Sequence, residues 1–253
     1  MAKTIVLGYW DVRGNTQPAR LILEHVGAQY EDRRILMSRP DWMKYKQTLG
    51  YDFPNLPFYQ DEDVKITQSM AIIQHLGCKF GLDGSTLKDK ADVDLLLYTA
   101  VDLREAIVGL CYRPNVSPSM IRRWAEGGPE KSAVHAVQAV QAVQRKSVLH
   151  DIPWDSISIE KRFTPLQRKL GGNVWFVNNE ITIADFLIWE VLDIYRLLFP
   201  GCLEKLPGLS SFHARFAQIK GVKQYIESPR YKPFPIWKSE ASYGHFEPNF
   251  ISN

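Results

Sequence analysis

Strand-forming runs crowd into the first 66 residues of this 253-residue chain and are absent beyond them, which limits its fold more than any other feature. Residues 4–8 are β-rich and read as ending at Gly8. Residues 29–36 form a second run. Two short runs, 57–59 and 64–66, flank the acidic turn Asp61-Glu62-Asp63, the pattern of an antiparallel hairpin. Helical patterns lie between. Residues 13–26 place Ala19, Leu21, Ile22, Leu23 and Val26 on one face and stop at Gly27. Residues 41–48 read as a short helix closed by Gly50, and 69–78 as a helix with Met70, Ile73 and Leu76 on one side.

The order β-α-β-α-β-β-α predicts a thioredoxin-like α/β domain with a mixed four-stranded sheet over residues 1–82, followed by a polar linker at 83–90. Residues 91–253 then read as an all-α domain. Val93, Leu96, Leu97, Ala100, Leu103, Ile107 and Leu110 recur at helical spacing. Residues 182–199 predict a second strong helix, opened by a Thr182/Asp185 capping box and an Ile181/Phe186 staple. Residues 207–216 and 222–228 predict two shorter ones.

Composition excludes several classes of function. Apolar residues make up 45% and charged residues 23%, an ordinary globular mix. A balance of 31 basic and 28 acidic side chains gives +3, too weak to imply nucleic acid, and the pairs Arg33-Arg34 and Arg122-Arg123 are not interleaved with aromatics. No segment approaches the ~20 apolar residues of a membrane span, and the first apolar run is too short for a signal peptide. Cys78, Cys111 and Cys202 are odd in number and far apart, so they read as reduced thiols of a cytoplasmic protein. The six histidines show no metal spacing, and no P-loop, dinucleotide fingerprint or Ser or Cys triad is present. Neither a metal nor a cofactor is expected.

Four short motifs carry chemistry. Tyr9-Trp10 follows the first strand, where a hydroxyl can face a ligand. Asp52-Phe53-Pro54-Asn55-Leu56-Pro57 leads into the hairpin. Gln68-Ser69 opens a helix, whose free N–H groups favour an anionic carboxylate. Trp42 and Lys46 share a helical face, with Arg39 nearby, and the two cations suit a second carboxylate. Each motif alone has a plain reading: a structural aromatic, a turn proline, an N-cap. In this order and spacing they resemble the mu-like cytosolic glutathione S-transferases, over almost the whole chain apart from one insertion.

The resemblance implies a pocket for glutathione, used as co-substrate, with Tyr9 as the catalytic residue. A free thiol has a pKa near ~8.5, so little is thiolate at neutral pH, and a hydroxyl donating to the sulfur favours the charged form. By the same resemblance, Leu56 precedes a cis proline, Pro57, and offers its backbone to the cysteinyl part of glutathione. Gln68 and Ser69 hold the γ-glutamyl end; Arg39, Trp42 and Lys46 hold the glycyl end; Trp10 and Asn55 complete the contacts. Asp102 reaches glutathione from the partner subunit of a homodimer. Phe53 is the aromatic key of that dimer, and Gln74 replaces the family's basic residue near its axis. The electrophile site is expected to be apolar, lined by Trp10, Val12, Tyr112 and Trp237, with Tyr243 a further candidate. Tyr112 can donate to a developing oxyanion.

The chain departs from the family in places. The loop before Arg39 is about six residues shorter than in vertebrate mu enzymes, a change loops tolerate. An insertion at about 126–156 adds roughly thirty residues and contains a tandem triplet, Ala133-Val134-His135 to Ala142-Val143-Gln144. A helical extension, a mobile loop and a misread gene model are all open. Asn178 stands where relatives carry glycine and tolerates a left-handed backbone. The functional expectation is conjugation of glutathione to small hydrophobic electrophiles for detoxification. The alternatives are a non-catalytic ligand binder on the same fold and a glutathione-dependent isomerase.

Overall fold

The structure, a computed structural model, describes residues 5–127 and 157–245. Almost all of the expected insertion, including the tandem triplet, lies outside the described residues.

Strand β1 (Ile5–Trp10) lies inside a four-stranded sheet of order β2-β1-β3-β4. It runs parallel to β2 (Tyr30–Ile35) and antiparallel to β3 (Phe58–Gln60), which pairs antiparallel with β4 (Lys65–Thr67). The mixed sheet expected from sequence is therefore present. Gly8 does not end β1. A Cβ at this position would lie 2.1 Å from the Phe58 ring, so glycine is needed for close strand-to-ring approach rather than for a turn. In consequence Tyr9 is inside the strand, opposite Arg34, and not past it. Asp61 closes the hairpin by accepting the amides of Asp63 and Val64 at 3.0 and 2.8 Å.

Helix α1 (Gln17–His25) starts later than its apolar pattern, after one 3-10 turn at Gly14–Thr16. Pro18 sits in its first turn, where a missing N–H costs nothing. Helix α2 (Arg39–Tyr45) starts earlier than expected, because Ser38 accepts the Asp41 amide as an N-cap. A 3-10 turn at Lys46–Leu49 follows, and Gly50 ends it at φ 65°. Helix α3 (Ser69–Phe80) buries Ile72, Ile73 and Leu76 on the sheet side.

Helix α4 (Leu87–Cys111) begins inside the segment read as a linker. Thr86 and Asp89 form a capping box there, with each side chain accepting the other's amide. Helices α5 (Pro118–Glu126), α6 (Ile159–Leu170), α7 (Ile183–Leu198), α8 (Pro207–Phe216) and α9 (Lys220–Ile226) follow. Beyond β4 only an isolated Val177–Glu180 bridge occurs among the described residues. Asn178 does adopt φ 52°, and its amide nitrogen donates to Asp89 at 3.0 Å.

Helix α7 is buried almost all round and joins the two halves. Its Asp185 accepts the Thr182 amide at 2.8 Å, as the capping box predicted. The Ile183 amide donates to Leu82 at 2.9 Å, and the Ile183 side chain packs on Gly77 of α3, where a Cβ would lie 2.7 Å away. Trp189 stacks on Phe216 at 5.2 Å, and Phe186 meets the same ring edge-on at 5.1 Å. Truncating such a buried aromatic to Ala costs about 3–5 kcal/mol.

Candidate functional site

The loop after β1 is held by a buried cation. Arg13 is fully buried and donates to Glu190 at 2.8 and 2.6 Å and to Asp193 at 2.6 Å, both on α7. Asp193 also meets His213 and Arg196, each at 2.9 Å. Burial opposes the charges, but the carboxylates hold the guanidinium well above its ordinary pKa, and Arg13 with its neighbours holds Asp193 well below. No apolar periodicity pairs residue 13 with residues 190 and 193. The one trace in the sequence is two acids three apart in the middle of a mostly apolar helix.

This anchor positions Tyr9. Gly14, at φ 46°, packs so closely that a Cβ would lie 2.6 Å from the Tyr9 ring and 2.9 Å from its hydroxyl. The Asn15 amide donates to that hydroxyl at 3.4 Å. Tyr9 is 9% exposed. Burial pushes its pKa up, against the Asn15 amide and the positive charges of Arg20 and Arg104. The phenol therefore stays protonated at neutral pH, and because its oxygen is the acceptor for Asn15, its own proton remains available to a ligand.

The C-terminal segment returns over the same loop. Pro235 and Ile236 carbonyls accept the Arg13 and Gly14 amides, both at 2.9 Å. Lys238 Nζ lies 3.8 Å above the Trp10 ring. Burial raises the pKa of Tyr112. Lys238 and Arg104 were not expected in a site read as apolar. The signal available for Lys238 was its place directly after Trp237.

The remaining expected residues distribute as follows. Trp42 is buried and meets Trp10 edge-on at 5.7 Å, while Lys46 stands half-buried one turn on and Arg39 is exposed at the start of α2. The Leu56-Pro57 bond is cis, with Asn55 exposed and Pro57 buried. Gln68 takes the N-cap position of α3 at φ 74° and makes no cap hydrogen bond, so Ser69 is the first helical residue rather than the cap. A non-glycine residue in that conformation is strained. It leaves the first amides of α3 without a side-chain cap. Val12 is buried in the β1–α1 loop and Tyr112 is half-exposed. Trp237 is buried in the core, which makes it the least accessible of the four electrophile-site candidates. Tyr243 uses its hydroxyl on the Leu198 carbonyl at 2.6 Å. Asp102 and Phe53 are exposed, and Gln74 donates to Asp94 at 3.3 Å. Among the described residues no group of acids, histidines and cysteines could hold a metal, and no helix is long and apolar enough to cross a membrane.

Comparison with known proteins gives one answer. Residues 5–77 match the family described as glutathione S-transferase, N-terminal domain, and residues 141–229 that described as glutathione S-transferase, C-terminal domain. The chain is 33% identical to glutathione S-transferase Mu 1 of Oryctolagus cuniculus over 245 residues, 94% of this chain and 98% of that protein. It is 35% identical to glutathione S-transferase Mu 2 of Rattus norvegicus over 243 residues, 94% and 97% of the two chains. The crystal structure of the glutathione S-transferase Blo t 8 matches with a TM-score of 0.74 at 26% identity, covering 95% of this chain and all of that one.

Proposed function

The chain belongs to the glutathione S-transferase family, and from that premise we propose that it conjugates glutathione to small hydrophobic electrophiles through Tyr9. The observation that carries the reading is the Tyr9 hydroxyl, buried, protonated and fixed by Asn15 and Gly14. A thiol bound beside it loses its proton to solvent. The thiolate left behind accepts the phenolic hydrogen bond, which favours the charged form at neutral pH. The sulfur then forms a bond to the electrophilic carbon, and a leaving anion departs or a carbonyl oxygen takes the negative charge. Tyr112, partly exposed at the end of α4, donates to that oxygen.

Glutathione lies along residues 5–82 in this reading. Leu56 pairs its backbone with the cysteinyl unit as an added strand edge. The uncapped start of α3 and the side chains of Gln68 and Ser69 take the γ-glutamyl carboxylate. Arg39, Trp42 and Lys46 hold the glycyl end, and Trp10 and Asn55 complete the contacts. A homodimer completes the site with Asp102 from the second subunit, keyed by Phe53, whose 77% exposure suits a side chain that a second copy covers. The role is detoxification in the cytoplasm.

The test is turnover of 1-chloro-2,4-dinitrobenzene by the protein and its Tyr9→Phe variant. The reading predicts activity that falls about 100-fold in the variant while glutathione affinity holds. Glutathione binding without turnover in either protein overturns it in favour of the non-catalytic binder.

A further inference from the structure

We propose that the electrophile end of this cleft selects substrates bearing a carboxylate, through the ammonium of Lys238. The inference rests on the conjugation reading above and names the class of electrophile.

Lys238 is fixed where a second substrate must lie. Its backbone is part of the segment pinned to Arg13 and Gly14, and its Nζ stands over Trp10. The side chain is only 27% exposed, and among the described residues its counter-charge is Glu240 at 3.6 Å, itself half-exposed. An ammonium has three donors. The Trp10 face takes charge but no classical hydrogen bond, so Lys238 retains donors for a ligand. An apolar pocket would reject a carboxylate; an ammonium held over Trp10 inverts that preference.

The test compares 4-chloro-3-nitrobenzoate with 4-chloro-3-nitrobenzamide, which differ in one group, on the protein and its Lys238→Met and Lys238→Arg variants. The readout is the ratio of kcat/KM for acid over amide within each protein. The ratio is expected to fall about fivefold in Lys238→Met, through KM, and to hold in Lys238→Arg, the factor being modest because Lys238 is partly exposed. An equal ratio in the wild type and Lys238→Met overturns the proposal. Calorimetric titration with 4-nitrobenzoate separates it from the catalytic reading. If no protein turns over substrate but the wild type binds 4-nitrobenzoate about fivefold more tightly than Lys238→Met, conjugation falls and the anion site stands. Equal affinities remove the anion site whatever the activity.

Discussion

The Asn15 amide donates to the Tyr9 hydroxyl at 3.4 Å, and Gly14, between Arg13 and Asn15, leaves no room for a side chain against that hydroxyl. Gly14→Ala places a methyl group 2.9 Å from the oxygen at a left-handed backbone position. A misplacement of about 1 Å costs on the order of 100-fold in rate. The variant should lose kcat/KM by about that factor while glutathione affinity, measured by calorimetry, changes little. Unaltered kcat would show that the loop does not position Tyr9.

Gln68 holds a positive φ and no side chain caps α3, which leaves the Ser69 hydroxyl uncommitted to the helix. Ser69→Ala should raise the KM for glutathione about tenfold, the size of one hydrogen bond to a charged group. Steady-state kinetics at saturating electrophile should find kcat within about twofold, since uniform binding is what is lost. A fall in kcat with unchanged KM would assign Ser69 elsewhere.

Arg13→Met leaves Glu190 buried without its bidentate partner, while Asp193 keeps His213 and Arg196. Breaking a buried pair this way costs about 3–5 kcal/mol. Burial already pushes the Glu190 carboxyl up, against Arg13, and the variant removes that opposing charge. A carboxyl raised in the folded state keeps its stability below the unfolded pKa of about 4.3 and loses it as pH rises. In the wild type the folded-state value is about 7, so urea denaturation should show a steady gap between wild type and variant below it and a widening gap as pH rises above about 7. A gap independent of pH would mean that Glu190 finds another cation.

Asp61 accepts from Tyr59 at 2.8 Å, Lys79 at 2.6 Å and two backbone amides. Burial opposes its charge, but Lys79 and the other donors hold the carboxyl well below the usual range. Its stabilising effect is thus present above the unfolded pKa of about 3.9 and lost as pH falls below it. Asp61→Asn should cost about 1–3 kcal/mol at pH 7 and flatten the acid limb of the stability profile below about pH 4. An acid limb as steep as that of the wild type would place the titration in other groups.

The sheet and the principal helices were legible because their signals are local: β-rich runs bounded by turn residues, the 3.6-residue stripe of α4 and the Thr182/Asp185 box of α7. The extent of β1 was not. Gly8 reads as a stop on its own, and only the Phe58 ring packed against it explains why the strand continues. Ser38 and Thr86 shifted two helix starts by caps that outweigh the apolar pattern. At the site, Tyr9 and the Leu56-Pro57 corner lie in contiguous motifs and could be read. The Arg13 anchor joins residues 177 and 180 apart, and Lys238 reaches Trp10 from the opposite end of the chain. Such pairs leave no periodic trace.

The most direct test of the central claim is the ultraviolet absorbance of the thiolate of bound glutathione, followed against pH in the wild type and Tyr9→Phe. The account predicts a bound thiol pKa well below the free value of about 8.5 in the wild type, returning towards it in the variant. The same depressed pKa in both proteins would contradict it, and would move thiolate stabilisation from the Tyr9 hydroxyl to the surrounding charges of Arg20 and Arg104.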